Sequence, residues 1–331
     1  MEIDSNIMEI KKRYDFRKIY FVKIINHPVA GISIATIGFY VLFSFIGRGF
    51  FSFDCFTSIF TIVAETGLLT IGQCLLIIGG DFDLSVGATY ALGGTIFVVT
   101  AAFLPSFLAF IIAIGLCAFV GYINGVLTVR MGVPSFVTTL GMMMIIRGSL
   151  LLTTRGSSIS YRGDIFIPTI LSDIIGYGIR PSHFWFVALL LLFSFILMRT
   201  PYGNWVFATG GDQKIARSMG VNINKVKVIN FIITGVLAGL AGCMAISRFR
   251  FANVAFGTLM ELESISGAVI GGVLLSGGVG NIIGAGLGAL LLAMIRIGVV
   301  LAGVPGYSYQ LFVGMVLISA AYINQKRKFK K

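Results

Sequence analysis

Charged side chains are scarce. Only 11% of the 331 residues are Asp, Glu, Lys or Arg, against about 25% in a soluble domain. Hydrophobic residues make up 57%, and mean hydropathy is +0.96. This excludes an ordinary water-soluble globule; the chain is solvated mainly by lipid. Histidine is limited to His27 and His183, both at the edges of apolar runs, and no His, Asp and Glu residues fall at metal-ligand spacing. The four cysteines (Cys55, Cys74, Cys117, Cys243) show no pairing pattern, so no disulfide framework is indicated. A Gly-x-x-x-x-Gly-Lys-Ser/Thr phosphate loop is lacking, so any use of ATP calls for a separate subunit. No nucleophile–base set stands out, which weighs against an intramembrane enzyme. No small-residue cleavage site follows the basic N-terminal stretch, so the first apolar run reads as a retained span.

The net charge of +12 is concentrated at the two ends, in Lys11, Lys12, Arg13, Arg17, Lys18 and Lys23, and in Lys326, Arg327, Lys328, Lys330 and Lys331. It is not a nucleic-acid footprint, because basic residues beside spans mark the cytoplasmic side. Apolar segments fall at 29–46, 56–79, up to 102, 106–128, up to 153, 183–198 and 227–246. Three more lie within 262–323, broken at Ser276–Gly280 and Gly303–Gly306. The expected fold is an all-α polytopic membrane protein of about ten transmembrane helices with both termini cytoplasmic. A basic segment at 1–27, a membrane domain at 28–323 and a basic tail at 324–331 form its parts. Gly79-Gly80-x-x-Asp83-Leu84 is echoed by Gly277-Gly278-x-x-Asn281-Ile282. If the echo marks repeats separated by an odd number of crossings, they are inverted, as in many transporters. Forty-two glycines predict close helix packing in lipid.

One polar stretch, Thr200 to Gly220, lies near the middle of the chain, inside the cytoplasmic segment expected at 200–226. Asp212 can N-cap a helix, with Gly210 and Gly211 before it and Gly220 ending it. Ile215 and Met219 then share one face, with Lys214, Arg217 and Ser218 elsewhere. So short a helix must be pinned by neighbours or dock. It reads either as a plug for a soluble partner's groove or as an ordinary structured loop.

Polar groups within apolar runs are candidate functional residues: Glu65, Gln73, Asp81, Asp83, Ser85, Asn124, Arg147, Glu261, Glu263 and Arg296. Asp81 and Asp83 suit an acid/base couple, a cation site or capping, Asp83 being placed to N-cap the helix that follows. Arg147 and Arg296 are expected to pair with Glu65 or with Glu261 and Glu263, as structural ion pairs or as a substrate clamp.

Four ordered blocks resemble the permease subunit of bacterial ABC importers for ribose, xylose, arabinose and related sugars. They are Gly80-Asp81-Phe82-Asp83-Leu84-Ser85-Val86-Gly87; Val133-Pro134-Ser135-Phe136-Val137-Thr138-Thr139-Leu140-Gly141 with Arg147-Gly148; Thr200-Pro201-Tyr202-Gly203 through Gly220-Val221; and Glu261-Leu262-Glu263 through Gly280. The resemblance implies a permease that pairs with a copy of itself or a related subunit. It also implies two ATP-binding subunits on the cytoplasmic face carrying ATP and magnesium, an extracytoplasmic solute-binding protein, and location in the bacterial inner membrane. Gly211, Asp212, Lys214, Ala216, Arg217 and Gly220 would belong to the coupling helix. The chain departs from the family pattern at Asp212, usually Asn, at Ile215, usually Ala, and in the extra Phe82. The rival expectation is an ion-coupled carrier using Asp81, Asp83 and Glu65.

Overall fold

The computed structural model describes residues 29–328. The expectations placed on residues 1–27, on His27 and on Lys330 and Lys331 lie outside the described residues. Helices dominate: α1 (Ala30–Ile46), α2 (Phe53–Ile78), α3 (Val86–Ala101), α4 (Ser106–Arg130), α5 (Ser135–Thr154), α6 (Phe166–Leu171) and α7 (Pro181–Arg199). They continue with α8 (Pro201–Gly211), α9 (Gln213–Ser218), α10 (Ile223–Phe249), α11 (Met260–Ile270), α12 (Ile282–Leu301) and α13 (Tyr309–Lys328). Two short strands, β1 (Ile159–Ser160) and β2 (Phe251–Ala252), pair antiparallel, Ile159 opposite Ala252.

Among the described residues, six helices are long and apolar enough to cross a membrane: α2, α4, α5, α7, α10 and α12. The apolar helices α1 and α3 are shorter. Length and composition thus support six crossings and a multi-pass membrane protein, while the expected count of about ten goes beyond them.

Local chemistry sets the boundaries. Ser52 starts α2 by accepting from Cys55 N–H at 3.2 Å. Asn222 does the same for α10 through Lys225 N–H, and Arg250, at φ 61°, closes that helix in the left-handed region. Prolines precede α4 and α5 and open α7 and α8, where a missing N–H is harmless.

Helix α2 is the axis of the fold, and 94% of its most apolar window is buried. It packs against α7, α10, α11 and α12, while α10 also covers α3 and α4. A helix apolar all round is one surrounded by protein, and α2 fits that rule. Contact is backbone on backbone in places: a β-carbon added at Gly242 of α10 would fall 2.1 Å from Tyr90 O of α3. All four cysteines are free and buried.

Residues 154–181, between two of the apolar segments, carry β1 and α6, and polar side chains order them. Asp164 accepts from Ser106 N–H at 2.7 Å and from the Ser106 hydroxyl, and from Phe166 N–H at 3.0 Å. The guanidinium of Arg250 sits over the ring of Tyr161 and pairs with Asp173. Those three donors hold the Asp164 carboxyl below its usual range, the Ser106 hydroxyl contributing most. A group with a depressed folded pKa stabilises above its ordinary value and loses that effect as pH falls through the folded one. Protection from hydrogen exchange across 159–171, measured against the intrinsic rate at each pH, should therefore fall below about pH 4, and Asp164→Asn should remove this pH response. An unchanged acid response in Asp164→Asn would count against the role of this carboxylate.

Candidate functional site

The chain between α2 and α3 is not helical and lies inside the bundle. Asn124 and Asn230, each about two turns or 10 Å inside its helix end, reach it. Asn124 Nδ2 donates to Ser85 Oγ at 2.9 Å, and Asn230 Nδ2 to Leu75 O at 3.3 Å. Backbone groups away from water need partners, and here side chains supply them. Phe82 N–H donates to Ser135 Oγ at 3.2 Å and Leu84 N–H to Thr139 Oγ1 at 3.0 Å. Gln73 bonds both backbone groups of Asp83. Asp83 Oδ1 accepts from Ser85 N–H at 2.7 Å and Ser85 Oγ at 2.6 Å. Asp83 is thus not the N-cap of α3; that position falls to Ser85, which makes no side-chain cap. Asp83 closes a local turn instead.

A second irregular segment, residues 253–259, enters α11. Leu259 caps it at φ 66°, a left-handed conformation uncommon for a bulky residue. Arg147, about two turns inside α5, donates to Val254 O and to Phe256 O, the latter at 2.8 Å. One helix, α5, therefore supplies partners to both irregular segments. The two helix starts also touch: a β-carbon at Gly87 would lie 2.3 Å from Gly257 O and 2.4 Å from Glu261 Oε2.

Asp81, Glu65 and Glu263 form ion pairs, though not all with the expected partners. Lys227 Nζ lies 2.9 Å from Asp81 Oδ2. Glu65 pairs with Arg248 at 2.8 Å and accepts from Tyr90 OH at 2.9 Å. The partner expected for Glu65 was Arg147 or Arg296. Arg147 binds carbonyls instead, and Arg296 pairs with Glu263 while stacking over Tyr309. His183 is buried and bonded to Thr61 at 2.9 Å. Among the described residues, Asn124 Oδ1, Thr138 Oγ1 and Glu261 Oε2 are buried atoms without a hydrogen-bond partner.

Two helices fill the central polar stretch. Thr200 caps α8, whose Val206 and Thr209 are fully buried, and Tyr202 OH donates to Asn230 Oδ1 at 2.6 Å. Gly210 and Gly211 lie in the last turn of α8. Asp212 ends α8 and begins α9, accepting from Lys214 N–H at 2.8 Å and Ile215 N–H at 3.1 Å. Gly220, at φ 82°, follows α9. On α9 only Ala216 is buried, so its methyl pins the helix to the body. Ile215 and Met219 stand out from the surface, 58% and 77% exposed.

Residues 55–321 match the family described as branched-chain amino acid transport system / permease component. The ribose import permease protein of Escherichia coli K12 is 31% identical, covering 89% of this chain and 92% of its own. The fructose import permease protein of Rhizobium meliloti is 33% identical, with 90% and 84% covered. The autoinducer 2 import system permease protein of Photorhabdus luminescens is 34% identical, with 86% of each chain covered. The chain belongs to this family of importer permeases. No solved structure matches it.

As in those relatives, the role is transport and not enzymatic conversion. Within the permease, sequence reading singled out most of the carboxylates but missed two of their cations. Lys227 and Arg248 lie near the two ends of α10, where basic residues read as loop or boundary residues. Only the fold shows them turned inward.

Proposed function

We propose that this permease is the membrane subunit of an ATP-driven importer for a sugar or sugar-like solute in the bacterial inner membrane. It works by alternating access, pairs with a second permease subunit (a copy or a relative), and binds two ATP-binding subunits that carry ATP and magnesium. A solute-binding protein delivers the solute from outside. Ten crossings with both ends cytoplasmic would place α8 and α9 on the side of the ATP-binding subunits. The unpartnered atoms of Asn124, Thr138 and Glu261 flank the irregular segments. Hydroxyl-rich solutes offer both donors and acceptors, which suits such a path.

The observation that carries this reading is α9. A six-residue helix cannot hold itself in water, yet this one is capped, pinned through Ala216 and presents Ile215 and Met219 outward. That is a small apolar plug with Lys214 and Arg217 beside it, suited to a groove on a soluble subunit. An ion-coupled carrier is less well supported, because Asp81 and Glu65 already hold Lys227 and Arg248.

The test is a detergent pull-down of the chain co-expressed with its genomic neighbours. The doubly substituted Ile215→Asp, Met219→Asp permease should lose about 2 kcal/mol or more of affinity for the ATP-binding subunit, about thirtyfold. Both positions are exposed, so membrane accumulation should be unchanged. Undiminished capture by the double variant would remove α9 from the interface.

A further inference from the structure

We propose that Gly210 is the joint through which movement of α9 reaches the core, bearing on the end of α2 and on the turn before α12. This rests on the importer reading above. The two Gly–Gly turns that echo each other in the sequence converge on this residue. A β-carbon added at Gly210 would fall 1.7 Å from Ile78 O and 2.8 Å from Gly278 N. From the other side, one added at Gly80 would meet Gly210 Cα at 3.6 Å, and one added at Gly277 would meet Gly210 O at 2.7 Å. Gly278 N–H donates to Ile78 O at 2.8 Å, tying the end of α2 to the turn before α12. The likeness of the turns extends to their side chains: Asp83 accepts from Ser85 N–H, and Asn281 accepts from Ile283 N–H, each two residues on.

Little slack separates this joint from α9. Asp212 alone links the two helices, its N–H donating to Ala208 O at 3.2 Å and its carboxylate capping α9. A push on α9 is thus passed to the last turn of α8. There Gly210 bears on backbone, which cannot rotate aside as a side chain can. Close-packed contacts have few intermediate positions, so a small displacement is transmitted and not absorbed. Gly210 is a positioning residue in this scheme, since it touches neither solute nor nucleotide.

The experiment uses the full transporter, permease with ATP-binding and solute-binding subunits, in proteoliposomes. Two variants are compared with wild type for subunit assembly, ATP hydrolysis and ATP-driven uptake. Gly210→Ala tightens the joint, and insertion of one glycine between Gly211 and Asp212 loosens it without adding an atom there. Both should retain the ATP-binding subunit and hydrolysis while uptake per ATP falls by about tenfold or more, inside the 5–150-fold span of coupling effects. A purely structural defect would lower assembly and hydrolysis together. Should Gly210→Ala not fold, the insertion decides alone: normal uptake per ATP overturns the joint. Failure of the wild-type chain to bind any ATP-binding subunit would instead overturn the importer reading, independently of Gly210.

Discussion

Replacing Gly87 by valine should nearly abolish folded permease, and alanine there should lower its yield more mildly. The starts of α3 and α11 touch through this residue. Gly87 and Gly257 face each other so closely that a β-carbon on either would fall within 2.3 Å of the other's carbonyl oxygen. Gly257 also sits at φ 72°, where an added side chain is strained in any case. Gly87 is the cleaner test because no positive φ is recorded for it. The alanine methyl would also meet Glu261 Oε2 at 2.4 Å, and that carboxylate can swing away. The Gly257 carbonyl cannot, so α11 must be pushed from α3. Overpacking of this kind costs about 1–3 kcal/mol for the first methyl and more for a branched side chain. The readout is the monodisperse fraction of detergent-extracted protein, with Gly115→Ala as control, since nothing lies within 4 Å of a β-carbon there. Wild-type yield from Gly87→Val would mean that the two helix starts do not touch in the membrane.

That contact also marks the limit of what the sequence discloses. Forty-two glycines announce close helix packing, and the packing is there. Which glycine meets which is set by tertiary geometry, and Gly87 and Gly257 are 170 positions apart with no local pattern linking them. Local signals fared better. The cap at Asp212, the termination near Gly220 and the pairing of Ile215 with Met219 depend only on residues within two turns, and all three stand. The helix that ends in Gly210 and Gly211 was not legible locally, because burial of Val206 and Thr209 holds it in place. Asp83 failed as a cap because Ser85 lies two residues closer to α3 and takes that position. Partner assignment for buried charge was the weakest inference, since it requires knowing which helix faces which.

Glu65 shows what such a partner is worth. The substitution Glu65→Leu should destabilise the permease by about 3–5 kcal/mol, the usual effect of stranding one member of a buried ion pair. Glu65 lies in the buried central helix, its side chain 8% exposed, and its carboxylate meets Arg248 at 2.8 Å and Tyr90 OH at 2.9 Å. Without it, Arg248 loses its only ion-pair partner among the described residues and keeps just its stacking over Phe249 at 3.8 Å. Tyr90 would be left with an unpaired hydroxyl. Leucine fills much of the volume, so lost charge and not a cavity dominates. The companion Arg248→Met should be comparably harmful, because it leaves the carboxylate uncompensated. Combining the two removes both charges, and apolar replacement of a whole buried pair is often neutral. The double variant should therefore recover most of the loss in thermal unfolding, giving a strongly favourable coupling in the double-mutant cycle. Additive losses would show that the two side chains do not interact. Uptake then separates structure from transport. If the pair only holds α2 to α10, a stable double variant transports normally. If the pair opens and closes as the permease alternates, the same variant folds, binds its ATP-binding subunit and carries no solute, because no charge remains to favour one face over the other.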